Sequence, residues 1–237
     1  MHTDVFLGVD VLKKYFTRLE IALWCSSVLL IVISFCIFDR ENYLTLAASV
    51  VGVTSLIFCA KGNPIGQILM IIFSLIYGAI SWGFNYYGEM ITYLGMTLPM
   101  AVFALVSWLK NPYKENKSEV KVNTVGKREY AFMWCLAAVV TVLFYFILKY
   151  FNTSNLLPST LSVTTSFIAA YLTFRRSPLF ALAYALNDII LIVLWIMASI
   201  SDIRYISVVV CFVAFLVNDI YGYISWQKMK IRQSNNE

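Results

Sequence analysis

Charge is scarce in this sequence. Asp, Glu, Lys and Arg make up 13% of the 237 residues while 60% are hydrophobic, and soluble domains usually carry about 25% charge, so a water-soluble globular chain is excluded. Histidine occurs once, at His2. The five cysteines, Cys25, Cys36, Cys59, Cys135 and Cys211, stand in apolar stretches with no CxxC spacing, which excludes a zinc site and a disulfide framework and leaves them as small buried hydrophobes. There is no HExxH, no Gly-x-Ser-x-Gly and no carboxylate cluster with metal-ligand spacing. Gly126-Lys127-Arg128 lacks both the glycine spacing and the following Ser/Thr of a phosphate loop, so ATP hydrolysis by this chain is not expected. No metal or cofactor is expected either. A short apolar run with a small-residue cleavage site is also missing from the start of the chain, so the first apolar helix is read as retained. Residues 1–20 hold an amphipathic pattern (Val5, Phe6, Val9, Leu12, Phe16) suited to lie along a membrane surface.

Long apolar runs are present instead, and mean hydropathy is +0.76. A spanning helix needs about 20 mostly apolar residues, and eight stretches qualify: Ile21 to Phe38, Tyr43 to Ala60, Pro64 to Trp82, Met90 to Leu109, Tyr130 to Tyr150, Ser159 to Phe174, Pro178 to Ser199 and Ile203 to Trp226. An even number places both termini on one side. With that side cytoplasmic, 15 of the 18 Lys and Arg residues lie inside, and only Arg40, Lys149 and Arg204 fall outside. This is the positive-inside asymmetry. It accounts for the net charge of +5 without nucleic acid, and predicts a multi-pass protein of the cell membrane.

The chain matches itself at an offset of 114. Ala60-Lys61-Gly62-Asn63-Pro64 corresponds to Phe174-Arg175-Arg176-Ser177-Pro178, each a basic turn followed by a Pro that starts the next helix, a position where its missing N–H is harmless. The second and sixth spans share small residues (Ala47, Ala48, Gly52, Ser55 against Ser162, Thr165, Ser166, Ala169), which permit close helix approach in lipid. Each unit closes on Ser-Trp, at Ser107-Trp108 and Ser225-Trp226. The fold class is therefore an all-α polytopic membrane protein of order 1+3+1+3: an N-terminal segment and extra helix (1–42), a first three-helix repeat (43–109), a basic cytoplasmic loop (110–129), a linking helix (130–150), a second repeat (159–226) and a cytoplasmic tail (227–237). One linking span makes the two repeats parallel, a plan in which transporters hold substrate near the midplane between halves.

Two dipeptides, Asn187-Asp188 and Asn218-Asp219, sit deep inside apolar spans. Placing Asp near the centre of a membrane helix costs roughly 2.5–3.5 kcal/mol on insertion scales, so such groups normally face a bundle interior or watery cavity. Asp188 lies ten residues past Pro178, about 15 Å along the helix, and Asp219 about 10 Å from its inner end. Tyr184, Asn187, Asp188, Leu191 and Trp195 recur at helical spacing, as do Cys211, Phe215, Asn218, Asp219, Gly222 and Trp226. The third span adds Gln67, Ser74, Tyr77, Gly78 and Ser81. The fourth adds Tyr93, Thr97 and Met100 beside Pro99, which loosens the backbone. Asn, Gln, Ser and Thr suit hydroxyls or an amide, and Trp and Tyr stack on a flat ring. Carboxylates with aromatic faces favour a cation. Competing readings stand beside these. Trp82, Trp108 and Trp226 fall at span ends, where Trp anchors at the interface; Ser and Thr bond back to their own helix; Asn218 and Asp219 also suit a structural contact between helices; and Glu89 falls near the outer surface. A membrane enzyme using the two Asp residues as acid and base, and a channel or receptor, remain the rival classes to a transporter.

Tyr87-Gly88-Glu89-Met90, Met96-Thr97-Leu98-Pro99-Met100 with Trp108, and Asn187 and Asn218 followed by Tyr221-Gly222 and Trp226 resemble the PnuC-type vitamin transporters. The resemblance covers about Tyr43 to Trp226. It implies a fold like a mirrored arrangement of the parallel-repeat sugar facilitators, and facilitated diffusion of an unphosphorylated vitamin, nicotinamide riboside foremost, with trapping by a cytoplasmic kinase. The chain has Ala183 and Tyr184 where family members often carry a Trp, and relatives carrying thiamine, riboflavin or deoxynucleosides keep those ligands open. The expected site residues are Asn187, Asp188, Asn218, Asp219, Tyr184, Trp195, Gln67, Ser74, Tyr77, Thr97, Trp108, Tyr221 and Trp226. The expected partners are a small-molecule substrate, the lipid bilayer and a kinase, with homo-oligomerisation left open.

Overall fold

The structure is a computed structural model that describes residues 15–83, 87–153 and 155–236. The amphipathic segment expected over residues 1–20 lies, up to residue 14, outside the described residues. Among those described, eight helices are long and apolar enough to cross a membrane: α1 (Arg18–Phe38), α2 (Tyr43–Ala60), α3 (Ile65–Gly83), α4 (Tyr87–Lys110), α5 (Lys127–Tyr150), α6 (Leu156–Phe174), α7 (Leu179–Ser199) and α8 (Ile206–Ser234), the last preceded by a 3₁₀ turn at Ile203–Tyr205. Exposed Leu, Ile, Val and Phe cover their outer faces, such as Val139, Val142, Leu143 and Phe146 on α5. In lipid an outward apolar side chain costs nothing. Three of the cysteines follow the same rule: Cys25, Cys36 and Cys135 are exposed on the outer surface, and only Cys59 and Cys211 are buried. The burial expected for all five from their apolar setting holds for two, because a lipid-facing position is as apolar as a buried one.

Each three-helix unit leans on the other. Within units α2 packs on α3 and α6 on α7; between units the last helix of each, α4 or α8, packs on the first helix of the other, α6 or α2. Helix α1 rests on α2 and α8, while α5 rests on α6 and on the first turns of α4. The extra helix thus stands to the first unit as the linking helix stands to the second. Trp24 Nε1 donates to Thr54 Oγ1 at 3.1 Å across α1 and α2, and Thr141 and Thr164 hydroxyls meet at 2.7 Å across α5 and α6.

The two basic turns have one geometry. At the end of α2, Gly62 adopts φ 65°, and the N–H groups of Gly62 and Asn63 close onto the carbonyls of Cys59 and Phe58. At the end of α6, Arg176 adopts φ 56°, and Arg176 and Ser177 close onto Thr173 and Leu172. Both are left-handed C-caps that satisfy orphan carbonyls. Asn63 Oδ1 and Ser177 Oγ then accept from the N–H of Ile65 and Leu179, on either side of the prolines.

The α4–α5 connection, expected as a basic loop, contains a small hairpin of β1 (Pro112–Tyr113) and β2 (Asn116–Val120), paired antiparallel. It runs beneath the bundle as a strap. Val120 N–H donates to the carbonyl of Gly62 and Asn123 N–H to that of Arg176, both at 3.0 Å, so the strap is tied to equivalent residues of the two halves. Gln233 clamps it from the extended end of α8, bonding Val120 O through Nε2 and Val122 N–H through Oε1.

In α4, Thr92–Thr97 form a π-helical segment. Pro99 has no N–H and its ring clashes with the carbonyl four residues back. The chain answers with one wider turn just before it, where Leu98 N–H reaches Tyr93 O, a distortion that frequently marks functional sites.

Candidate functional site

Between the two units lies a cavity of about 190 Å³. It runs from the end bearing the α1–α2 and α7–α8 connections, where Asp39, Asn42, Glu89, Asp202 and Arg204 line it, down to Leu56, Ala170 and Asp219. The duplication organises its walls. Thr45, Gly52 and Leu56 on α2 have lining partners 114 residues on, at Ser159, Ser166 and Ala170 of α6. On α3 and α7 the same offset pairs Met70 with Tyr184, Phe73 with Asn187, Tyr77 with Leu191, Ile80 with Leu194 and Ser81 with Trp195. The positions are repeated, but the chemistry is not.

One wall is aromatic. Phe73 and Tyr77 lie 4.7 Å apart, Tyr77 and Tyr93 4.9 Å, and Phe73 and Phe215 6.1 Å between ring centroids. The facing wall is polar, with Ser162, Asn187, Asp188 and, from α8, Asp219. The hydroxyls of Ser162 and Thr165 both donate to Asn187 Oδ1, at 3.2 and 2.9 Å. With its carbonyl held, the Asn187 amide presents NH₂ as the group left to donate to a solute oxygen. Asp188 and Asp219 are direct neighbours whose carboxyl groups interact, and Asp188 Oδ2 is buried with no hydrogen-bond partner. At the mouth, Arg204 is held through both oxygens of Asp202, and hydrogen bonds from Arg204 hold that carboxyl below the usual carboxylate range. Such a chamber suits a flat ring on one side and a hydroxylated or cationic group on the other.

Of the expected site residues, Asn187, Asp188, Asp219, Tyr184, Trp195, Tyr77 and Thr97 come together on these walls. The other six lie elsewhere. Asn218 points at α1, its Nδ2 donating to Ser27 Oγ at 2.9 Å and to Ala214 O at 2.8 Å. Tyr221 also faces α1, bonding Glu20 at 2.8 Å beside the Lys61–Glu20 ion pair. Ser74 bonds back to Met70 O within its own helix. Gln67 donates to Cys59 Sγ and lines a space of about 10 Å³ that shares Met70, Thr97, Ala170 and Tyr184 with the main cavity.

Trp108 and Trp226 lie below the cavity floor, each 0% exposed. Interface anchoring, read for three tryptophans from their place at span ends, fits only Trp82, which is 63% exposed. The other two have buried carbonyls to bond: Trp108 Nε1 donates to Thr173 O at 2.9 Å and Trp226 Nε1 to Cys59 O at 2.8 Å.

The sequence reading gave no site role to Phe73, Ser162 or the mouth residues. Phe73 was findable as the offset partner of Asn187. Ser162 carries two signals at once, since a small residue in a membrane helix serves close packing as readily as hydrogen bonding. Arg204 was one of three basic residues on the sparse side of the charge partition, and the structure places it at the cavity mouth. Glu89, read as a surface group, lines that same end of the cavity.

Comparison with known proteins agrees with this architecture. The profile of the nicotinamide mononucleotide transporter family matches residues 42–228. The nicotinamide riboside transporter PnuC of Neisseria mucosa is 24% identical over 217 residues, 90% of this chain and 82% of that protein. The protein of the same name from Haemophilus influenzae is 23% identical over 197 residues, 82% and 83% of the two chains. A solved structure described as the crystal structure of the vitamin B3 transporter PnuC superposes with a TM-score of 0.78 at 22% identity, over 92% of this chain and 94% of that one. Eight membrane helices, a polar chamber between duplicated halves and a family match over most of the length lead to one conclusion: the chain belongs to the nicotinamide mononucleotide transporter family, a family of multi-pass membrane transporters.

Proposed function

We propose that this protein carries unphosphorylated nicotinamide riboside across the cell membrane by facilitated diffusion, with both termini in the cytoplasm and a cytoplasmic nucleoside kinase retaining the product. The observation that carries this is the chamber itself. An aromatic wall of Phe73, Tyr77 and Tyr93 faces Asn187, Asp188 and Asp219, matching a flat cationic ring joined to a hydroxyl-bearing sugar. The substrate named for both relatives supports the choice. A phosphorylated nucleotide suits the chamber less well: among the described lining residues the only Lys or Arg is Arg204, which Asp202 already holds, and the deep polar groups are carboxylates.

The asymmetry of the two ends supports alternating access. The cavity reaches the end with the α1–α2 and α7–α8 connections, while Trp108, Trp226, Phe180 and the strap fill the other. Rocking of the two units about the midplane exchanges which end is filled. The positive-inside partition puts the filled end in the cytoplasm.

The test is uptake of labelled nicotinamide riboside into proteoliposomes. Uptake is expected to saturate, to stop at equal inner and outer concentrations and to be unchanged by a protonophore. A thermal-shift screen including thiamine, riboflavin and deoxynucleosides accompanies it, since bound ligands raise stability. Accumulation above the outside concentration would reject facilitated diffusion, and a shift with thiamine alone would replace the vitamin.

A further inference from the structure

We propose that Asp188 reads the charge of the solute, so that the cavity takes flat-ringed monocations of the pyridinium or thiazolium kind and discriminates against an uncharged ring of the same shape. The proposal deepens, and rests on, the reading of this cavity as the transport site.

Three observations carry it. Asp188 is 4% exposed and lines the cavity, and its buried Oδ2 receives no hydrogen bond from a donor group among the described residues. A carboxylate buried for a structural purpose has its oxygens occupied by donors; this one has a second carboxyl, that of Asp219, as its neighbour, and belongs to a side chain that borders a space large enough for a ring. Asp219 then adds a second carboxyl from α8 at the same depth, beside the first. Two adjacent carboxyls do not both ionise readily, and a pair that gives up one of its two protons carries one negative charge, the complement of a monocation. Finally, no Lys or Arg among the described residues stands beside the pair as a counter-ion. Arg204 is occupied at the mouth by both oxygens of Asp202. Among the described residues, the titratable groups that interact electrostatically with Asp188 are Asp219, Tyr93, Tyr184 and Cys211, none of them a cation. An uncompensated charge in low dielectric is a strong selector by sign.

The decisive comparison uses nicotinamide riboside and its uncharged 1,4-dihydro form, which share a shape and differ in ring charge. Affinities are measured on the full-length protein in nanodiscs, with thiamine as a second cation and uridine as a second uncharged solute. The wild type is expected to favour the cationic riboside by about 10- to 100-fold, the range of a charge-assisted contact. Asp188→Asn should bring that ratio near unity by weakening the cation while leaving the dihydro form within about twofold. Equal binding of the two forms by the wild type, or an unchanged ratio in Asp188→Asn, would overturn the proposal. If Asp188→Asn does not fold, the wild-type ratio and Asp219→Asn, expected to narrow it, decide. Binding of thiamine over uridine with no binding of either riboside would remove the vitamin named above and keep the role of Asp188. Binding of neither cation would remove both.

Discussion

The indole of Trp108 lies 5.4 Å from that of Trp226, and each donates its N–H to the opposite half, Trp108 to Thr173 O and Trp226 to Cys59 O. Thr173 and Cys59 are themselves 114 residues apart, so the contact is one interaction made twice across the duplication. Both carbonyls also accept the turn N–H that ends their helix, from Arg176 and Gly62. The two tryptophans therefore bind the halves together where the passage is closed.

Each of the changes Trp108→Phe and Trp226→Phe is expected to cost about 0.5–1.5 kcal/mol, the net value of one hydrogen bond, and truncation to Ala about 3–5 kcal/mol. Because the rings touch, the double Phe variant should depart from additivity by at least about 0.5 kcal/mol. Thermal unfolding in detergent measures both. Strict additivity would mean the rings are energetically independent.

Replacing Asn187 with Ala removes an amide that lines the cavity and takes from Ser162 its acceptor, while Thr165 falls back on the carbonyls of Leu161 and Ser162. Ligand binding is expected to fall by at least about 100-fold, as when a site's buried polar groups lose their partners, with the unfolding temperature little changed. Ser162→Ala with Thr165→Val should weaken binding by about 10-fold, through a freer amide. Calorimetric titration checks both, and wild-type affinity in Asn187→Ala would take it out of the site.

Glycines differ sharply in what an added Cβ meets. At Gly66 it would fall 2.5 Å from Cys59 Sγ and 2.8 Å from the Cys59 backbone nitrogen; at Gly222 the nearest atom is 3.6 Å away, an ordinary contact. Gly66→Ala should cost about 3 kcal/mol or more, since backbone cannot turn aside, and Gly222→Ala less than about 1 kcal/mol. At Gly52 the clash is with Phe215 Cζ at 2.4 Å, so Gly52→Ala should displace a cavity wall and reduce binding more than stability. Expression, unfolding temperature and affinity separate the three.

Removing Arg204 frees the Asp202 carboxylate at the mouth. Arg204→Ala should raise the association rate of a cationic solute several-fold at low salt, and the gain should vanish near 1 M salt, where screening acts within about 3 Å. Stopped-flow binding at two ionic strengths checks this. A salt-independent change would point to altered shape.

The strap is pinned by one side chain of α8, Gln233. Gln233→Ala deprives Val122 N–H and Val120 O of a partner, and amide exchange over residues 116–125 should quicken by about 10-fold. Hydrogen-exchange mass spectrometry reads it, and unchanged protection would show that the ties to Gly62 and Arg176 suffice.

Local rules carried much of this fold in the sequence. Apolar length placed eight spans within a few residues of their observed bounds, except that the last runs on past Trp226 to Ser234, since a helix in lipid must satisfy its own backbone whatever surrounds it. The turns at Gly62 and Arg176, and the distortion ahead of Pro99, follow from backbone chemistry that acts over four or five residues. The α7 face of Tyr184, Asn187, Asp188, Leu191 and Trp195 was legible because 3.6-residue periodicity fixes which side chains share a side. What that side faces is a different matter. Asn218 and Asp219 are adjacent, yet about 100° of helical rotation sends one to Ser27 on α1 and the other to the cavity. Trp108 and Trp226 end their spans as interface anchors do, but the crossing of α4 over α6 and of α8 over α2 buries them. The sequence alone determined which residues are polar, helical and repeated. Only the packing of one half against the other decided which of those polar groups line the cavity, because in lipid outward and inward faces can be equally apolar and nothing local distinguishes them.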